Sequence, residues 1–192
     1  MDEKTSERIA AVTLGIVERE GAGAVSMRRV AKAVGITAMA IYHYFPTREA
    51  LLRAVTAREF ERLGAFMKAH PARISGDVSF AKLLDFYLDY AFERPRVFDY
   101  LYSQARPDAR KFPKDFRARK SPTMNGTVDH LSAAMDDGVL RRDDVWELGM
   151  MLWSLVHGYL ALYHAGRIGL DEKEFRALCH RALKRVFHGI KA

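Results

Sequence analysis

The chain has 192 residues, with 31 Lys and Arg against 24 Asp and Glu, for a formal net charge of +7. At 49% hydrophobic and 29% charged residues it reads as a folded soluble protein rather than a disordered one. The single cysteine, Cys179, excludes an internal disulfide framework and a cysteine-cluster zinc site. The acidic start MDEKTSER has no apolar core and is not a secretory signal, so a cytoplasmic location is expected.

Helical periodicity predicts every element. Thr5 can cap a first helix with Ile9, Val12, Ile16 and Val17 on one face, ended by the glycines of residues 20–23. Ser26 caps a short helix carrying Val30 and Val34, and Gly35 breaks it. Thr37 caps another short helix with Ile41 and Phe45, and Pro46 stops it. Thr47 then caps a long helix to about Ala69. Residues 70–76 read as a linker, and Asp77 or Ser79 starts a helix through Leu84, Leu88 and Ala91. Pro95 fits the first turn of the next helix. The proline-rich, charged stretch 106–122 is a loop or broken helix, followed by helices at about 123–137, 144–165 and 171–188. The fold class is all-α, with about nine helices.

Positive charge is concentrated away from the N-terminus. Residues 1–66 carry a net +2, residues 94–120 a net +6 and residues 173–192 a net +5. A nucleic-acid reading therefore rests on motif rather than total charge. Residues 148–166 contain no charged side chain except their histidines and approach the length of a membrane span. Without basic flank asymmetry they are expected to be buried in protein, with no membrane contact.

Residues 26–45, SMRRVAKAVGITAMAIYHYF, have the spacing of a DNA-binding helix-turn-helix. Val30, Val34, Ile36, Ile41 and Phe45 can lock the two helices, and Gly35 supplies the sharp turn. The positions expected at DNA are Ser26, Arg28, Thr37, Ala38, Met39, Tyr42, His43, Tyr44 and Arg48. Small side chains allow close approach to a groove, and hydroxyl and cationic groups suit phosphates. A helical hairpin that only packs is the bland alternative.

The segment from Arg8 to Leu52 resembles the tetracycline-repressor (TetR) family of transcriptional regulators. The residues that carry the likeness are Ser26, Val30-Ala31, Gly35-Ile36-Thr37, Tyr42, Tyr44-Phe45 and Arg48 to Leu52. The family commonly has Lys where Arg48 stands, and often Gly at Ala40. Residues 93–101, with Trp153, His157 and Gly158, resemble a Trp-His-Gly type of C-terminal domain in the same family. The resemblance implies a helix-turn-helix head at 1–50, a ligand-binding and dimerisation body at 51–192, and a repressor released by a small molecule.

The partners expected are double-stranded DNA with a palindromic operator, a small-molecule effector and a second copy of the chain. The effector set is Phe86, Tyr90, Phe98, Tyr102, Met124, Trp153 and His157, aromatic walls with a few polar groups. The dimer set is Leu148, Met151, Leu155, Tyr159 and Leu162 of one helix, with Phe175, Leu178, Ala182 and Val186 of the next. No cofactor, metal site or catalytic residue is expected. The glycines near 21–26 follow a helix and lack a third glycine, which defeats a dinucleotide loop. His157 and His164 have no further ligand beside them. The paired aspartates at 136–137 and 143–144 suit helix ends. Two alternatives stand beside the regulator: a small-molecule-binding protein or enzyme with its pocket in the body, and a helical adaptor that has lost DNA binding.

Overall fold

The computed structural model describes residues 3–69 and 78–191. The elements are α1 (Glu3–Glu20), α2 (Met27–Val34), α3 (Ala38–Tyr44), α4 (Arg48–Ala69), α5 (Val78–Glu93), α6 (Pro95–Phe98), α7 (Lys114–Arg117), α8 (Pro122–Asp136), α9 (Val145–His164) and α10 (Glu172–Ile190). A 3-10 turn at Ala22–Ala24 and a π-helical turn at Asp99–Ser103 complete them. No strand occurs among the described residues; one isolated antiparallel bridge joins Leu140 to Lys191. The fold is all-α as expected. The helix beyond the expected nine is α7, in the stretch read as a broken helix. Thr5 lies inside α1 rather than at its cap, and the expected linker 70–76 and cap Asp77 fall outside the described residues.

The chain divides into two compact units, Met1–Arg62 with Tyr90–Ala109, and Leu63–Asp89 with Arg110–Ala192. The border falls within α4 and again within α5, so both helices belong partly to each unit.

In the first unit α1 packs against α2 and α6, and α2 packs against α3. The buried face of α1 is Ile9, Ala10, Thr13, Ile16 and Val17. Thr13 satisfies its hydroxyl by donating to the Ile9 carbonyl at 2.8 Å, so a polar side chain sits in the apolar face without cost to the helix register. From α6, Val97 and Phe98 are buried.

In the second unit α8 packs along α9, and glycines set how closely helices approach. A Cβ on Gly149 of α9 would lie 3.1 Å from Met124 Sδ and 3.3 Å from Val128 Cγ1 of α8. A Cβ on Gly64 of α4 would lie 2.6 Å from Pro122 Cβ, at the start of α8, and 3.3 Å from its carbonyl carbon. The inner face of α10 is Phe175, Cys179, Ala182, Leu183 and Phe187. The Phe187 ring meets that of Phe80 with centroids 4.5 Å apart. Burial pushes the Cys179 thiol up to about 11, which leaves it a packing residue and not a reactive one.

The proline ring opposite Gly64 is rigid and cannot swing aside. Gly64→Ala is therefore expected to lower the unfolding free energy by about 1–3 kcal/mol, measured by urea titration. An unchanged midpoint would show that α4 and α8 can separate freely.

Candidate nucleic-acid interface

The head is built from two helices too short to persist alone. At the start of α2 the Ser26 hydroxyl accepts from the Arg29 backbone N–H at 3.3 Å. Its end is a left-handed Gly35 (φ 77°), which lets the Ile36 N–H reach back to the Ala31 carbonyl at 3.0 Å. The α3 cap is Thr37, whose hydroxyl accepts from the Ala40 N–H at 3.1 Å. Thr47 caps α4 in the same way, accepting from the Ala50 N–H at 3.0 Å. Val30, Ala31, Val34, Ile41 and Phe45 are buried and clamp α2 to α3. Ile36, expected among them, is only half-buried.

What remains of α3 faces outward. Thr37, Ala38, Met39, Tyr42 and His43 are exposed, and Tyr44 is half-buried with its ring edge-on to His43. Met39, at 81% exposure, is the most exposed large apolar side chain among the described residues. An apolar side chain in water at the tip of a seven-residue helix contributes nothing to the fold. Ser26 and Arg28 are exposed at the start of α2.

Arg48 departs from its expected role. Its Nε donates to the Val25 carbonyl at 2.8 Å and its Nη2 to the Ala22 carbonyl at 2.6 Å. The guanidinium fork expected at a phosphate is thus spent on the turn between α1 and α2. Arg29 forms a two-pronged ion pair with Glu20, which is held below the usual carboxylate range chiefly by that hydrogen bond. Sequence spacing gave no signal for either pairing, because each joins residues on different elements.

Behind the head lies a buried ionic cluster that sequence reading missed. Glu59 of α4 is 5% exposed. Its Oε2 accepts from the Tyr90 hydroxyl at 2.9 Å, from Arg94 Nη1 at 2.8 Å and from Arg62 Nη2 at 3.3 Å. Arg94 Nε also donates to Glu18 Oε1 of α1 at 2.8 Å. Burial, with the Glu59 charge beside it, pushes the Tyr90 phenol far up.

The seven residues expected to bind an effector are shared between the two units. Tyr90, Phe98 and Tyr102 belong to the first unit, and Phe86, Met124, Trp153 and His157 to the second. Tyr90 and Phe98 are buried, the first in the Glu59 cluster and the second packed on Tyr102 with ring centroids 5.1 Å apart. Met124 is buried with Phe116 and Val128, against Trp153 and Trp146. Phe86 stacks on Phe66 at 3.9 Å. Tyr90, Phe98 and Met124 are thus core, whereas Phe86 is half-buried against an exposed Phe66. Trp153 and His157 do converge, through Tyr87. Trp153 Nε1–H donates to the Tyr87 oxygen at 3.0 Å, and the Tyr87 hydroxyl lies 3.0 Å from His157 Nδ1. The tryptophan only donates, and the tautomer of His157 sets which way the proton lies between its Nδ1 and the phenol. Burial, with His164 adding to it, holds His157 below its ordinary value.

Three residues of the expected dimer set are corrected in the same way. Leu148, Phe175 and Ala182 are buried within the protomer, where α8, α9 and α10 already use them. Met151 and Leu162 of α9 are exposed at 45% and 49%. Leu155, Tyr159, Leu178 and Val186 are half-buried.

The basic segments also divide. In 106–120, Arg106 pairs with Asp108, Arg117 with Asp144, Arg119 with Asp129 and Lys120 with Asp115. Four of the seven cations of that stretch are thus paired with carboxylates. Arg181, Lys184, Arg185 and His188 of α10, with Lys191 just past its end, instead line an open groove of about 410 Å³.

Two short helices locked across a left-handed glycine, with the outer face of the second unused by the fold, define a helix-turn-helix DNA-binding protein. The chain belongs to the tetR family of bacterial regulatory proteins, whose model matches residues 9–55, and residues 80–186 match the tetracyclin repressor-like C-terminal domain. It is 30% identical over 157 residues to the HTH-type transcriptional repressor KstR of Mycolicibacterium smegmatis, covering 77% of this chain and 75% of the relative. Its fold resembles that of a protein of unknown function from Rhodococcus sp. RHA1, with a TM-score of 0.76 and 20% identity over 98% of this chain and 95% of that one. It also resembles a TetR transcription regulator from Haloarcula marismortui, with a TM-score of 0.75 and 18% identity over 98% and 99% of the two chains. The protein is a DNA-binding transcriptional regulator and not an enzyme.

Two expectations follow from these contacts. Arg48→Ala leaves two carbonyls without their donors. It should cost about 1–3 kcal/mol of stability while leaving the salt dependence of DNA binding unchanged; a phosphate contact would instead reduce the salt slope by about one. For His157, the unfolded chain takes a proton before the folded one. Its contribution is therefore present above about pH 6.5 and lost as pH falls through the depressed folded value. Melting curves of the wild type and His157→Gln should diverge less at acid than at neutral pH, and parallel curves would refute this.

Proposed function

We propose that the chain is a homodimeric repressor that reads a palindromic operator with α3 and releases it when a small molecule binds. The observation that carries this reading is the outward face of α3. Ala38, Met39, Tyr42 and His43 are held out by the burial of Ile41 and Phe45. Thr37 and Tyr42 bring hydroxyls for phosphates, and Ala38 and Met39 bring apolar surface for thymine methyl groups. Ser26 and Arg28 sit on the same motif and suit the phosphates on either side. The work is done where the chromosome lies, in the cytoplasm.

A seven-residue helix contacts too few base pairs to specify a long site, and two-fold symmetry doubles the contacts. The protomer offers a surface for this on α9. Met151, Leu155, Tyr159 and Leu162 follow one another at helical spacing on its outer side, and among the described residues no other element comes within 4 Å of a Cβ built on Gly158. The helix is long and apolar enough to cross a membrane by length and composition, and 28% of its apolar window is buried in the protomer. Pairing of α9 with its symmetry mate, with Leu178 and Val186 of α10 alongside, accounts for that apolar surface in water.

The effector reading rests on the Trp153–Tyr87–His157 chain, in which a neutral imidazole and a phenol are half-buried beside aromatic walls. The KstR relative is itself a repressor by name, and a solved neighbour of similar fold is described as a flavonoid-responsive regulator. Release requires that the effector bind better to the form whose α3 helices no longer match successive major grooves, about 34–36 Å apart.

Selection of duplexes from a random library should return an inverted repeat, and substitutions at Thr37, Ala38 or Met39 should change the sequence returned. An identical selected sequence from all three variants would remove α3 from the groove. Leu155→Arg should convert a dimer to monomers in sedimentation runs at micromolar protein; a wild type that sediments as a monomer there would refute the dimer.

A further inference from the structure

We propose that Arg94 is a positioning residue of the DNA-binding head, setting the angle of α1 against α4 and with it the direction in which α3 points. The inference rests on α3 as the DNA-reading helix.

Arg94 immediately precedes Pro95, the first residue of α6. The proline ring fixes its own φ and has no N–H, so the backbone at this bend is restrained on both sides. From there the guanidinium reaches two helices with two different nitrogens, Nε to Glu18 on α1 and Nη1 to Glu59 on α4, both at 2.8 Å. The fork is planar and rigid, so two simultaneous bonds fix a direction as well as a distance. Apolar contacts along α1 do not, since a buried stripe of Ile, Val and Ala tolerates small rotations.

The Glu59 end of the fork is anchored. Tyr90 and Arg62 also bond its carboxylate, and the guanidinium carbons of Arg94 and Arg62 lie 5.6 and 5.8 Å from the Tyr90 ring centroid. The Glu18 end is different. Its side chain is 45% exposed, and a pair so open to water adds little to stability. What it supplies is orientation. Two residues on, at the same end of α1, Glu20 ties the helix to α2 through Arg29, and α2 is tied to α3 by their shared core. A rotation of α1 is therefore a rotation of α3.

The test uses the full-length protein and two duplexes of equal length, one selected from a random library by the wild type and one unrelated. Glu18→Met keeps the length of an exposed side chain and removes its acceptor oxygens. It should weaken binding to the selected duplex by about tenfold, with an unchanged melting temperature and unchanged affinity and salt slope on the unrelated duplex. Arg94→Gln should weaken selected binding at least as much, and the double variant no more than Arg94→Gln alone. Arg94→Lys, which bonds as a single point, should recover only part. Should Arg94→Gln fail to fold, Glu18→Met decides the matter. A Glu18→Met protein that binds the selected duplex as tightly as the wild type overturns the proposal. A library that returns no preferred sequence with the wild type overturns instead the assignment of α3 on which it rests.

Discussion

Helices of eight and seven residues gain too little from their own hydrogen bonds to persist in water, so the DNA-reading head exists because Val30, Val34, Ile41 and Phe45 are taken out of it. All four are buried, and burial of such side chains is worth about 1.5–3 kcal/mol each. This clamp leaves α3 nothing else to do for the fold. Its remaining side chains are free to be chosen for what they touch outside, which is why Met39 can stand almost fully in water and Ala38 beside it can be small.

Around that clamp the polar groups close the chain ends. Ser26, Thr37 and Thr47 each satisfy a backbone N–H at the start of a helix, and Gly35 turns the chain between α2 and α3. Arg48 ties the 3-10 turn to the start of α4 by two carbonyls. The result is a head whose geometry is set by directional bonds laid over a nondirectional core. The Glu59 cluster extends the same principle along α4. A carboxylate can be buried there because a phenol and two guanidinium groups share it.

The second unit is organised by close approach instead. Gly64 meets Pro122, Gly126 meets Met67, and Gly149 meets Met124 and Val128. With helices this close, Trp146 and Trp153 of α9 pack against Met124 and Val128 of α8, and Trp153 also bonds Tyr87 in the chain that ends at His157. On α9 the inner face carries Leu148, Leu152, Val156 and Leu160, while Met151 and Leu162 remain uncovered. One side of the helix thus serves the protomer, and the other stays open to solvent.

The residues alone determined the helical class, most helix limits, the caps at Ser26, Thr37 and Thr47, and the exposed face of α3. Each of these follows from spacing within one element, where a period of 3.6 or a glycine at a turn speaks for itself. The tertiary structure decided what depends on residues far apart in the chain. Arg48 serves the fold because Val25 and Ala22 lie beside it. Tyr90 and Phe98 are core because Glu59 and Tyr102 meet them. Phe175 and Ala182 face inward because only one side of α10 is covered. A helical pattern shows that a face is apolar but not what covers it, and a guanidinium binds whichever acceptor the packing brings within 3 Å.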